Sequence, residues 1–197
     1  MEKALLLFIR NPEKGKVKTR LARDLGEDEA LAIYLRLMEH ARKVALETQA
    51  DRFLFYSDYI DRADAFDNSA FKKYVQCGGD LGARMDYAFS LPFKMGTYRK
   101  VVIIGSDLPD LSPGLVEEAF AALDDHDYVL GPSADGGYYL LGMTRWQRSL
   151  FLNKAWSAES VLSDTRREIE AGGGRLHLLR ELRDIDTAAD WEAAGRP

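Results

Sequence analysis

Apolar positions fall into short continuous runs and helix-spaced stripes that alternate along the chain. Leu5-Leu6-Leu7-Phe8-Ile9 is unbroken and stops at Asn11-Pro12, the length and the stop of a strand buried on both faces. Over residues 28–47 the apolar side chains recur at helical spacing, through Leu31, Tyr34, Leu35, Met38, Ala41 and Ala45. Residues 52–56 predict a second strand. Residues 74–77 predict a short third one, ending at Gly78-Gly79. From Asp80 the spacing is helical again, with Leu81, Met85, Ala88 and Phe89. Val101-Val102-Ile103-Ile104 is the strongest strand signal and stops at Gly105-Ser106-Asp107. Ser112-Pro113 predicts a helix start, with serine as cap and proline in the first helical position. Residues 128–130 and 138–141 read as strands bracketing a glycine-rich loop. Ser157 with Ser160 predicts the opening of a further helix that ends near residues 172–174. Residues 176–179 predict a late strand, and Asp186 is expected to cap a final short helix carrying Trp191.

Strands alternating with helices over the first 125 residues predict an α/β fold. The expected architecture is a three-layer α/β/α sandwich with a mixed, mostly parallel sheet. The antiparallel part is expected from the later strands, because residues 131–142 follow a short loop. There is no internal repeat, and the triple glycine at 172–174 is too short for a linker, so residues 1–197 are read as one domain.

Composition narrows the function. The 197 residues are 46% apolar and 30% charged, which fits a globular chain and excludes disorder and coiled coil as the main description. Cys77 stands alone, so no internal disulfide forms, and three scattered histidines argue against a zinc knuckle. No stretch approaches the ~18 apolar residues of a membrane span, and the N-terminal run lacks a leader's features. A soluble, cytoplasmic protein is expected. The net charge of −5 speaks against a general nucleic-acid binder. Residues 10–23, however, carry six cations against Glu13 alone, +5 on a remainder of −10. Such a basic loop suits a small polyanion, such as a nucleotide phosphate.

Three loops at predicted strand ends carry candidate chemistry, since ligands of open α/β sheets bind at the carboxyl ends of strands. After the first strand, Lys16, Lys18 and Arg20 alternate behind Pro12 and Gly15. Lysine offers point charges and arginine a forked donor for phosphate oxygens, and a helix expected near Lys18 or Thr19 would add its positive end. Asp107 leaves the strongest strand and could hold Mg²⁺, which takes one or two carboxylates plus substrate phosphates. Asp135-Gly136-Gly137 allows close approach to a ligand, and reads equally as a hairpin turn.

Taken together, these blocks resemble the nucleotide-diphospho-sugar transferase (GT-A type) superfamily. Within it the chain is similar to the small bacterial glycosyltransferase-like transferases once labelled domain of unknown function 2064. The resemblance rests on F-I-R-N-P-x-x-G-x-V-K-T-R-L-A at 8–22, G-D-L-G-x-R-M at 79–85, G-S-D-L-P-D-L at 105–111, G-P-x-x-D-G-G-Y-Y-L-L-G at 131–142 and D-I-D-T at 184–187. It implies a nucleotide lying across the carboxyl edge of the sheet, held near Asn11, Gly15 and Lys16 and near Gly79, Gly82 and Arg84, with Gly136 and Gly137 close by. Lys18 and Arg20 would face phosphates. Asp107 would be a ligand for Mg²⁺ or Mn²⁺, and Asp135 a second carboxylate or an acceptor-side group. Many metal-dependent sugar transferases carry Asp-x-Asp at this strand end. Here Gly105 stands two residues before Asp107, which looks more like the nucleotidyltransferases.

The expected function is therefore transfer from a nucleotide or nucleotide sugar to a small-molecule acceptor with a divalent metal. Nucleotidyl transfer to a phosphate-bearing acceptor, releasing pyrophosphate, is preferred. Glycosyl transfer and nucleotide binding without turnover remain open, as do the base, the acceptor and the oligomeric state. Asp184 and Asp186 are read mainly as structural, Trp156 and Trp191 as packing, Cys77 as unreactive, and His40, His126 and His177 as lacking partners.

Overall fold

The computed structural model describes residues 2–156 and 158–195. The chain runs β1 (Lys3–Ile9), α1 (Thr19–Leu25), α2 (Glu27–Glu47), β2 (Asp51–Tyr56), β3 (Phe71–Val75), α3 (Leu81–Lys94), β4 (Lys100–Ile104), α4 (Pro113–Ala122), β5 (Tyr128–Pro132), β6 (Tyr138–Met143), a 3-10 turn (Arg148–Phe151), α5 (Val161–Ala171), β7 (Leu176–Leu178) and α6 (Ala188–Ala193). Seven strands form one sheet in the order β3-β2-β1-β4-β6-β5-β7. β6 is antiparallel to β4 and β5, and every other pairing is parallel. This is the mixed, mostly parallel α/β arrangement expected, with the antiparallel strand where the short 131–142 connection put it.

The continuous apolar character of β1 and β4 follows from their place. Each has a strand on both sides and helices over both faces. Leu5, Leu7 and Ile9 pack with Val44 of α2 and Val116 of α4, while Ala4 and Leu6 pack with Met85 and Phe89 of α3. Fully burying one such leucine stabilises by about 1.5–3 kcal/mol. A third cluster joins Leu21, Ile33, Ile185 and Trp191, and so pins the segment before α6 against α1 and α2.

Register then sets the site. Leu7 of β1 lies beside Ile104 of β4, and Ile104 beside Leu140 of β6. The loops after β1 and β4 and the turn before antiparallel β6 therefore meet at one edge of the sheet.

Three local expectations change. The third strand begins three residues earlier than expected, at Phe71. As an edge strand it tolerates lysines, and Lys73 reaches a buried ion pair with Asp64 at 2.7 Å. Asp186 does not cap α6. Thr187 does, accepting from the Asp190 N–H, with the Asp190 side chain accepting in return from the Thr187 backbone. Ser160 occupies the position before α5 without a capping hydrogen bond from its side chain, and Ser157 lies outside the described residues.

Candidate functional site

The loop after β1 is tied down at its root. The Tyr34 hydroxyl of α2 donates to the Arg10 carbonyl at 2.9 Å and accepts from the Arg10 N–H at 2.8 Å. Burial pushes this phenol up to about 12. Asn11 is buried. Its amide donates to the Tyr59 carbonyl at 2.9 Å, and its oxygen accepts from the Asp58 N–H at 3.0 Å. Asn11 thus staples β1 to the loop after β2, and its side chain is occupied by protein. Further along, Lys14 pairs with Asp28 at 2.7 Å and Lys16 with Glu13 at 2.6 Å, both on the surface. Of the +5 counted along this loop, which already includes Glu13, Asp28 offsets one more charge.

Lys18 behaves differently. It stands immediately before α1 in the left-handed region, φ 47° and ψ 46°, a conformation uncommon for a side-chain-bearing residue. Its side chain is only 5% exposed. The ammonium lies 2.9 Å from Asp107 Oδ2 and 3.2 Å from Asp186 Oδ1, whose side chains are 41% and 43% exposed. Burial disfavours the charge on Lys18, but the two carboxylates outweigh it and hold the ammonium protonated above its ordinary range. The exposed Arg20 approaches Asp186 Oδ2 at 3.5 Å. Asp107 is further fixed by the Ser106 hydroxyl at 3.3 Å, and its carbonyl accepts from the Ile185 N–H at 3.1 Å. The end of β4 and the segment before α6 are thus clasped together. Residues 184–186 bury Ile185 and leave the flanking aspartates, which are half-buried, to the site.

Beside this cluster opens a cleft of about 310 Å³ over the carboxyl edge. Asp107, Asp135, Asp184 and Ser133 line its polar side, and Phe8, Met85, Tyr138 and Trp156 contribute to its apolar wall. Asp135 closes its own turn, its Oδ1 accepting from the Gly137 N–H at 2.9 Å. Gly136 has φ +87°, and a Cβ there would strike the Glu159 carbonyl. Glycine is required at that position by the turn. Asp184 accepts from the Ser133 hydroxyl at 3.3 Å. Burial, with Asp186 and Asp135 nearby, raises its carboxyl above the usual range. Gly82 is a packing residue, since a Cβ there would collide with the Trp156 indole. That indole nitrogen has no hydrogen-bond partner among the described residues.

Of the residues singled out in the sequence, Lys18, Arg20 and Asp107 come together. Asp135 shares the cleft from the opposite loop. Gly79 is exposed beyond β3, and Arg84 turns to Gln76 Oε1 at 3.4 Å. The carboxylate that shares a cation with Asp107 is Asp186. A sequence signal for it existed, because Thr187-x-x-Asp190 supplies its own capping box and leaves Asp186 free for another task. Trp156 also proves to line the cleft, whereas Trp191 is buried. The histidines do have partners: His40 meets the Leu111 carbonyl at 2.7 Å, and the His126 and His177 rings lie tilted against one another, 5.3 Å between centroids. Cys77 is exposed.

The donor set suits a divalent cation completed by substrate. Asp107 and Asp186 already bracket one positive charge. Among the described residues, no three His, Cys, Asp or Glu side chains gather into a cage. Mg²⁺ sites of this kind use one or two carboxylates, water and phosphate oxygens.

The family model described as "Uncharacterized protein conserved in bacteria (DUF2064)" matches residues 40–158. The chain belongs to the DUF2064 family. A solved structure from Desulfovibrio desulfuricans G20, provisionally named a nucleotide-diphospho-sugar transferase, is 31% identical with a TM-score of 0.92. The alignment covers 99% of this chain and 87% of that one. More distant structures share the fold. CMP:2-keto-3-deoxy-manno-octonic acid synthetase in complex with CTP is 12% identical, with a TM-score of 0.60 over 98% and 97% of the two chains. Rv0371c of Mycobacterium tuberculosis H37Rv in complex with manganese is 14% identical, with a TM-score of 0.58 over 98% and 97%. No curated protein sequence matches this DUF2064 chain. No helix among its described residues is long and apolar enough to cross a membrane.

Proposed function

We propose that this chain is a nucleotide-utilising transferase whose cleft binds a nucleotide through a divalent cation and passes part of it to a small-molecule acceptor. The observation that carries the reading is the Lys18 ammonium held between Asp107, which lines the cleft, and Asp186. Asp107 and Asp186 would hold Mg²⁺ or Mn²⁺. The bound ion would supply Lewis-acid neutralisation of the phosphate oxygens. Lys18, immediately before α1, and Arg20, in its first turn, would bring positive charge to the same oxygens. Asp135 and Asp184, on the polar side of the same cleft, would orient the acceptor through hydrogen bonds. Positioning and charge neutralisation then suffice, and no covalent intermediate on the protein is required.

Nucleotidyl transfer is the preferred reaction. An acceptor phosphate attacks the α-phosphorus of a nucleoside triphosphate, and pyrophosphate leaves. The nucleotidyltransferase fold shared with the CTP-bound synthetase, and the Gly105-x-Asp107 strand end, support it. Glycosyl transfer from a nucleotide sugar is the second reading, favoured by the name of the 31%-identical relative. Product analysis separates the two. With Mn²⁺, each candidate nucleotide and an extract of small molecules as acceptor source, pyrophosphate release supports the first and nucleoside diphosphate release the second. Binding without either product would leave a nucleotide-binding protein.

A further inference from the structure

We propose that Lys18 is an internal counter-cation that holds the Asp107–Asp186 pair together and competes with the divalent ion for it. The inference rests on the metal-dependent reading above and deepens it by assigning Lys18 a second role, besides phosphate contact.

The geometry is that of an occupied two-carboxylate clamp. One ammonium bridges Asp107 Oδ2 and Asp186 Oδ1, at 2.9 and 3.2 Å. Lys18 is 5% exposed while both carboxylates remain two-fifths exposed, so the ammonium reaches them from the protein side. Asp107 also faces the cleft. The two aspartates sit on separate segments, joined by the hydrogen bond from the Ile185 N–H to the Asp107 carbonyl. Two like charges set side by side would push those segments apart, and the ammonium prevents it. Lys18 alone of these three lysines has a left-handed backbone and a buried side chain, while Lys14 and Lys16 stay exposed.

Charge arithmetic makes the role a competitive one. Two carboxylates and one ammonium sum to −1. Adding a divalent ion while the ammonium stays would place +3 against −2, with like charges a few ångströms apart in a partly buried site, where repulsion is weakly screened. The ion and the ammonium therefore exclude one another. Metal binding frees Lys18, and the phosphates that arrive with the metal are the natural acceptors of its three donors. Whenever Lys18 holds the clamp the pair is unavailable, so the apparent metal affinity is lowered by the fraction of time it is free.

The test is nucleotide-free Mn²⁺ binding, measured from the electron paramagnetic resonance of free Mn²⁺ with the full chain. Lys18→Met removes the competitor and is expected to bind Mn²⁺ about fivefold or more tighter than the natural chain. Lys18→Gln, neutral but still a hydrogen-bond donor, should also bind more tightly and guards against misfolding of the methionine variant. Lys18→Arg keeps the charge and should stay near the natural affinity. The rise in melting temperature on adding Mn²⁺ should follow the same order. If both neutral variants bind Mn²⁺ no more tightly than the natural chain, while Asp107→Asn abolishes binding, the competition is refuted and the metal reading stands. If neither the natural chain nor the variants bind Mn²⁺ without nucleotide, the competition is refuted, and the metal reading is decided separately by whether nucleotide binding requires Mn²⁺.

Discussion

Asp107 and Asp135 both leave sheet strands into short loops, and both line the same cleft, but their carboxylates are used differently. Asp135 Oδ1 accepts from Gly137, two residues on, and so closes its own turn. Asp107 reaches across the molecule, to Lys18 with its carboxylate and to Ile185 with its carbonyl. The basic loop repeats the contrast. Lys14 and Lys16 pair on the surface with Asp28 and Glu13, while Lys18, two residues further, is buried between two carboxylates from distant segments. Charge and spacing alone do not separate these residues. A long-range partner held by core elements does, because only such a partner fixes an ionic group at a defined place relative to a ligand.

Substitution separates the two kinds of carboxylate and lysine. Asp107→Asn keeps shape and turn bonding, and should lower turnover by at least ~100-fold, the scale of losing one preorganised electrostatic group, with the melting temperature little changed. Steady-state rates and a melting curve check it, and full activity would make Asp107 a turn residue like Asp135. Lys18→Ala should weaken nucleotide binding by roughly 1.5–3 kcal/mol, the worth of a charge-assisted hydrogen bond, as read by calorimetry. This is opposite in sign to its expected effect on Mn²⁺ alone. Asp135→Asn retains an oxygen for Gly137, and should cost less than about tenfold in turnover, a difference of ~1.4 kcal/mol in barrier. A loss as large as that at Asp107 would place Asp135 on the metal. Smallest of all, Lys14→Ala and Lys16→Ala remove exposed ion pairs worth ~0.2–1 kcal/mol, and should leave nucleotide binding unaltered. If these variants bind as poorly as Lys18→Ala, the whole loop acts as one phosphate cradle.

Much of the fold was legible because burial dictates pattern. The apolar runs of β1 and β4 read as doubly covered strands, Ser112-Pro113 marks a helix start by local chemistry, and the spacing from Asp80 marks another. β3 was displaced because an edge strand carries lysines at positions where an inner strand carries valine or leucine. In the site, Asp107 and Lys18 stood out for leaving a strongly apolar strand and a basic loop. Asp186 did not, because its partner lies 168 residues away; the Thr187-x-x-Asp190 capping box leaves its side chain spare but does not encode what it meets. Trp156 was read as packing for a similar reason. Its ring does pack on Gly82, but one face of the same contact forms the cleft wall, which only the folded chain brings into being.

In the proposed function, nucleotide binds beside Asp107, Lys18 and Asp186 through a divalent ion. The most direct test is thermal unfolding of the natural chain and of Asp107→Asn against a panel of nucleoside triphosphates and nucleotide sugars, with Mn²⁺ or with EDTA. At 100 times its dissociation constant a cognate nucleotide should stabilise the natural chain by about 2.7 kcal/mol. That shift should appear with Mn²⁺ and vanish both in EDTA and in Asp107→Asn. No shift with any nucleotide, or a shift that survives EDTA and the Asp107 substitution unchanged, would contradict the claim.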